Sequence, residues 1–225
     1  MSLAPIGRVG TIKIIIAEFP KSGGSWFVTM LGTALDLPKR DIYVNNEFAG
    51  FDLTHHPWYE GANSYDLTES CIIKSHELPE SPLHNITDKI VHLVRDGRDV
   101  VVSKYFHDKD FCVNNGISKE FTMTFSEFLE KTATEWSEYI TAWSSQNVLV
   151  CSYEELLDNQ IIPLNNVLNE FNLFVNEGKL KDAVASATKD KMHKSLDKAF
   201  NHNTFVRKGI AGDWRNYFSE SDKFL

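Results

Sequence analysis

The sequence predicts an α/β fold in which a central parallel sheet is flanked by helices. Short apolar runs rich in β-branched residues recur along the chain, and stretches with helical spacing separate them. Strands alternating with helices imply βαβ units, which build parallel sheets covered on both faces. Three polar motifs directly follow predicted strands. Sheets of this kind bind ligands beyond the carboxyl ends of their strands. With 225 residues, 42% of them hydrophobic, and no repeat, low-complexity tract or long linker, one domain is expected over 1–225.

The elements follow in order. Ile12–Phe19 reads as a buried strand. It runs into Pro20-Lys21-Ser22-Gly23-Gly24, then Ser25–Leu35, where Trp26, Met30 and Leu31 keep helical spacing. Cys71–Lys74, Lys89–Val94 and Asn147–Cys151 read as further strands. Between the last two, Ser126–Trp143 is amphipathic, with Phe128, Leu129, Trp136, Ile140 and Trp143 on one face. Ile161–Leu173 and Leu180–Ala187 read as helices. Asp99–Ser103 (DVVVS) is open to two readings. Its propensity suits a strand, whereas the preceding Arg95–Asp99 suggests a turn and a helix start with Asp96 and Asp99 near the positive end.

Composition narrows the function. The formal net charge is −8, and the basic residues gather in short islands at 95–98 and 207–208. A nucleic-acid binder would show a basic face; small islands suit a compact anion, although scattered cations also occur as solvated surface. Cys71, Cys112 and Cys151 lie far apart, with no zinc spacing and no disulfide framework, so a reducing, cytoplasmic setting is expected. The start, MSLAPIGRVG, lacks the apolar core of a signal peptide, and residues 1–10 are expected to be unstructured or appended. No apolar run reaches the ~20 residues that span a bilayer, so no membrane partner is expected.

Four motifs could carry chemistry. In Pro20–Trp26 (PKSGGSW), glycines allow a tight turn that aims several N–H groups at one point. The following helix N-terminus adds donors and partial positive charge, and Lys21, Ser22 and Ser25 add side-chain donors. The alternative is an ordinary strand-to-helix turn. The loop is not a Walker A motif, because its lysine precedes the glycines and no GK[ST] follows. Arg95–Ser103 offers a planar guanidinium at a strand tip, or else a surface Arg–Asp network capping a helix. Arg207-Lys208-Gly209 begins a loop with a second glycine at 212, which reads as an anion clamp or as a basic surface loop. Lys74-Ser75-His76 follows a strand, and His76 could act as a general base. For most other histidines a surface or core role is expected; His55 and His56 lack the spacing of a helical metal pair.

Together and in this order, the motifs resemble those of the PAPS-dependent sulfotransferases of cytosolic type, where PAPS is 3′-phosphoadenosine-5′-phosphosulfate. PKSGGSW is similar to that family's PKSGTTW loop. KSHELP is similar to its K-[ST]-H-x-P segment, VRDGRDVVVS to its R-[ND]-x-[KR]-D-x-x-x-S segment, and RKGIAGDWRNYF to its RKGxxGDWKxxF segment. Ser152–Leu156 (SYEEL) matches a strand ending in YED or YEE. The matches run from about residue 13 to residue 218.

The resemblance implies a P-loop-like three-layer fold, with residues 97–109 helical, and an enzyme that passes a sulfuryl group to a hydroxyl or amine. It implies that Lys21 contacts the oxygen bridging sulfate and phosphate. Ser22, Gly23, Gly24 and Ser25 would cradle the 5′-phosphate, and Trp26 would stack on the adenine. Arg95, Ser103, Arg207, Lys208 and Gly209 would hold the 3′-phosphate, and Tyr153 would lie near the adenine. His76 would take the acceptor's proton, with Lys74 positioning the transferring group or tuning His76. No metal is expected, and adenosine 3′,5′-bisphosphate (PAP) would be the product.

Several departures stand out. Gly24 and Ser25 replace two threonines. The family's Ser/Thr-x-Phe segment is not evident, and Ser186 and Thr188 are candidates for it. Residues 215–224 do not reproduce the family's dimerisation pattern, so that dimer is not implied. The acceptor is expected to be a small molecule, a hydrophobic alcohol or phenol if Phe48, Phe51, Trp58 and Phe106 line its pocket. Residues 40–69 are expected to form the acceptor loop. Two other readings are a P-loop-type small-molecule or nucleotide kinase and a non-catalytic nucleotide-binding module.

Overall fold

A computed structural model describes residues 11–41, 69–114, 116, 120–197, 206–220 and 222. Its sheet, among the described residues, has five strands in the order β2-β3-β1-β4-β5. These are β1 (Lys13–Glu18), β2 (Lys39–Asp41), β3 (Cys71–Ser75), β4 (Ile90–Val94) and β5 (Leu149–Ser152). Every pairing is parallel. The register aligns Ile16 with Lys74 and Glu18 with Leu93, so the polar motifs leave the sheet at one rim.

The expected strands all form, within a residue or two of their predicted bounds. β2, only three residues long, was not anticipated. It occupies the start of the expected acceptor loop; residues 42–68 of that loop, with Phe48, Phe51 and Trp58, lie outside the described residues, as do residues 1–10.

Strand alternation builds a core on each face. Ile14 and Ile16 of β1 join Ile72, Val91 and Leu93 against α1 (Gly24–Leu35), α5 (Ile161–Glu170) and α6 (Glu177–Ser186). On the other face Ile15 and Ile73 meet Leu83, from a short 3₁₀ turn at Pro82–Ile86. Ala17 meets Val100 of α2 (Gly97–Phe106) and Tyr139 and Trp143 of α3 (Phe125–Ser144). DVVVS is therefore helical. Asp96 caps α2 by accepting from the Arg98 amide, and its side chain also pairs with the Arg98 guanidinium. α3 starts with a reciprocal box in which Thr124 and Glu127 satisfy each other's amides.

α4 (Tyr153–Asp158) follows β5 directly, and α7 (Lys189–Asp197) follows α6. The chain returns to the sheet rim in a 3₁₀ turn at Asp213–Asn216. A π-helical turn, His107–Cys112, extends α2. His84 and His92 are core residues: His92 stacks on Trp143, and burial pushes its pKa down to about 4. No described helix is long and apolar enough to cross a membrane.

Candidate active site

The site forms where four strands end. Past β1 the chain turns through Lys21, whose φ of 76° lies in the left-handed region that side chains avoid. Gly23 follows at φ 105°, and a Cβ there would come within 2.6 Å of the Tyr153 ring. Only glycine fits, because the loop lies directly on that ring. Gly23 then precedes α1, whose first turn points its amides into the loop.

Lys21 is half-buried in this turn. Burial, and then the charge of Lys74, bring its pKa down to about 7, against opposing pulls from Glu18, Asp108 and Cys112. Lys74, at the end of β3, is buried and donates to Ser25 Oγ at 3.4 Å. Ser22 is buried in the same turn. Two residues past Lys74, His76 places Nδ1 2.9 Å from the Glu18 carbonyl oxygen. A carbonyl only accepts, so Nδ1 carries the proton of the neutral ring and Nε2 is the basic nitrogen.

Arg95, at the tip of β4, joins the first and last motifs. Its Nη1 donates to the Lys21 carbonyl at 3.0 Å and its Nη2 to the Ile210 carbonyl at 3.2 Å. The guanidinium also stacks 4.2 Å from the centroid of the Tyr153 ring. Tyr153 is thus a buried brace between Gly23 and Arg95, with Trp26 edge-on to it and half-buried at the site.

Asp99, completely buried in α2, draws the C-terminal motif onto the sheet by accepting from the amides of Gly212 and Trp214. Ser103 lies one turn further along the same helix face. Arg207 and Lys208 both pair with the buried Asp213, at 2.6 and 2.8 Å. Burial alone would raise the Asp213 pKa, but hydrogen bonds from Lys208, Asn216 and Arg207 hold it down at about 2. Gly209, at φ 67°, turns the chain beside the Tyr153 hydroxyl. Every catalytic and nucleotide-binding residue expected from the sequence is described, and Lys21, Lys74, His76, Arg95, Tyr153 and Gly209 are tied together at one rim. Ser186 and Thr188 have local partners: Ser186 bonds Thr33 and the Ala183 carbonyl, and Thr188 caps α7.

Sequence reasoning assigned Glu18 and Asp213 no role, and Asp99 only a place at a helix start. Glu18, Asp99 and Asp213 are all buried at the site. Alternation along β1 and the GDW spacing could have marked the first and last. The π turn adds another group, because i and i+5 come onto one face there. His107, Asp108 and Cys112 place ligand-type atoms within 4.8 Å of one another. Asp108, however, is paired with Lys104, and burial lifts the Cys112 thiol to about 11, which makes a poor metal seat. Beside it opens a cavity of about 260 Å³ whose lining includes Asp108, Cys112, Phe121, Met123 and Phe128. Phe106 lies elsewhere, edge-on to Tyr217 and near Arg207.

The arrangement suits a ligand with two separated anionic groups. Lys21, Lys74 and the loop amides form one pole; Arg95, Arg207 and Lys208 form the other. The Nε atoms of Arg95 and Arg207 are buried with no hydrogen-bond partner among the described residues, consistent with a ligand supplying one.

Comparison with known proteins shows the family and the fold. The profile of the Sulfotransferase domain matches residues 11–224. Sulfotransferase 2A1 of Homo sapiens is 26% identical over 228 residues, covering 92% of this chain and 78% of its own length. Among solved structures, mouse sulfotransferase SULT7A1 complexed with PAP aligns at TM-score 0.71 and 21% identity, covering 96% of this chain and 80% of that one. Retinol dehydratase in complex with androsterone and inactive cofactor PAP aligns at 0.69 and 20%, covering 94% and 77%.

Proposed function

The chain belongs to the sulfotransferase family and is an enzyme of sulfuryl transfer; from that premise we propose that it uses PAPS as donor and a small hydrophobic alcohol or phenol as acceptor. The observation that carries the donor is Arg95, which joins the Lys21 turn to the RKG loop and so sets two anion sites at a fixed separation. A nucleotide with phosphates at both 5′ and 3′ matches two such poles. ATP, with one chain of phosphates, does not.

In this reading Lys21, Ser22, Gly23, Gly24 and Ser25 hold the 5′ end, and Trp26 provides a face for the adenine. Arg95, Ser103, Arg207, Lys208 and Gly209 hold the 3′-phosphate. His76 Nε2 accepts the proton as the acceptor oxygen attacks sulfur. The bond from sulfur to the 5′-phosphate oxygen breaks in line, and PAP leaves with that oxygen's charge beside Lys21. Positioning and charge stabilisation supply most of the rate, as in phosphoryl transfer. Lys74 positions the transferring group or tunes His76.

For the acceptor, the support is the apolar wall of Phe121, Met123 and Phe128 beside Asp108 and Cys112, both close enough to Lys21 to influence its charge. The androsterone in the aligned retinol dehydratase complex is an acceptor-sized hydrophobic alcohol of this kind.

The test has two arms. PAP should raise the melting temperature, whereas ATP with Mg²⁺ should not; the opposite result favours a kinase. Labelled PAPS offered with alcohols, phenols, amines and sugars should then label the hydrophobic alcohols or phenols. Binding of PAP without transfer to any acceptor would favour a non-catalytic module.

A further inference from the structure

We propose that Glu18 is a built-in counter-anion of the donor loop: without donor its carboxylate holds the Gly24 amide that an incoming phosphate would take, and donor binding displaces it. This rests on the donor reading above. Glu18 is the last residue of β1 and is 2% exposed. Alternation puts its side chain on the same face as Ile14 and Ile16, the face packed by α1. There it accepts from the Gly24 amide at 2.5 Å, at the start of α1.

The neighbouring residue is fitted to it. A Cβ at position 24 would run into both carboxylate oxygens and the carboxyl carbon. Glycine at 24, where the resembling loop has threonine, therefore makes room for the carboxylate. The charge is matched too: Glu18 raises the pKa of Lys21 against the combined effect of burial and Lys74. A helix N-terminus with adjacent lysines is an anion site, and here the chain supplies the anion itself.

A donor phosphate entering this loop meets a like charge on the same amide. The carboxylate must turn away or take up a proton, and either cost is subtracted from donor affinity. The same term favours release of PAP after transfer. Glu18 is accordingly a positioning residue that sets donor affinity, acting through the loop and the two lysines.

Titration calorimetry with PAP on the wild type and on Glu18→Gln tests this. The amide keeps an acceptor for Gly24 but loses the charge, so PAP should bind about tenfold tighter. In transfer assays the donor KM and kcat should both fall, because product leaves more slowly. A residue needed only to hold the loop in shape would give weaker or unchanged binding with a lower melting temperature, and that result overturns the proposal. If Glu18→Gln does not fold, the double variant Glu18→Ala/Gly24→Ala removes the carboxylate and fills its space. Tighter PAP binding by it supports the proposal, and equal or weaker binding overturns it. Wild type that binds PAP, with no gain in either variant, sinks this inference alone. If no form of the chain binds PAP, the donor reading itself falls.

Discussion

Lys21 shows how one residue is tuned by its surroundings. In the folded chain its pKa is down to about 7, with burial the largest cause and Lys74 the next; unfolded, it titrates near 10.5. Between those values the unfolded state binds more protons, so stability rises with pH across that window. Below it the full cost of burying a cation is present. Lys21→Met should therefore raise the melting temperature by a few degrees at about pH 6 and by much less at about pH 10, as scanning calorimetry would show. The same substitution should lower turnover about 100-fold or more, since it removes the cation proposed to meet the departing oxygen. His76→Ala should cost a similar ~100-fold in kcat with PAP binding intact, because the role proposed for His76 is on the acceptor and not on the nucleotide. Normal turnover in either variant would refute the assigned role. Lys21 was legible in PKSGGSW because its motif is local. Glu18 was not, because nothing in IKIIIAEF shows that its last acid folds back onto an amide six residues on.

At the scale of elements, α2 ties the site together. Its N-terminus leaves the β4 rim at Arg95, and its first turn presents Asp99 to the amides of Gly212 and Trp214. Asp99→Ala would leave two N–H groups without their acceptor, at a cost of about 2–4 kcal/mol. Denaturant melts should show that loss, and calorimetry should show PAP affinity down about tenfold as the RKG loop detaches. A variant with wild-type PAP affinity would mean the loop needs no such anchor. α3 offers a control far from the chemistry: Thr124→Ala removes its cap and should cost about 1 kcal/mol without altering PAP affinity. The helical state of DVVVS could not be read from propensity, which favours a strand. The cap at Asp96 and the packing of Val100 against Ala17 and Tyr139 decide it.

For the whole molecule, alternating apolar runs were enough to predict the parallel sheet, and the rule that ligands sit at strand ends placed the site. β2 escaped notice because KRD carries no apolar signal; it joins the sheet only by its backbone pairing with β3. The charge balance escaped as well, since a net charge of −8 does not reveal which acids are buried against which cations. PAP should protect amides at 21–25, 95–99 and 207–214 together in hydrogen exchange, because Arg95 and Asp99 join those segments. Protection confined to 21–25 would show that the two poles act separately. The bridge from Lys21 through Arg95 to Ile210 also bears on biosynthesis. β1 is made before β3 and β4, yet it sits at the centre of the sheet and pairs with both, which follow dozens of residues later. The loop after it gains its far wall only when Ile210 has emerged. Until then a nascent chain can hold a partial sheet with no competent nucleotide site, so donor binding cannot act as a folding chaperone before residue 210 has been made.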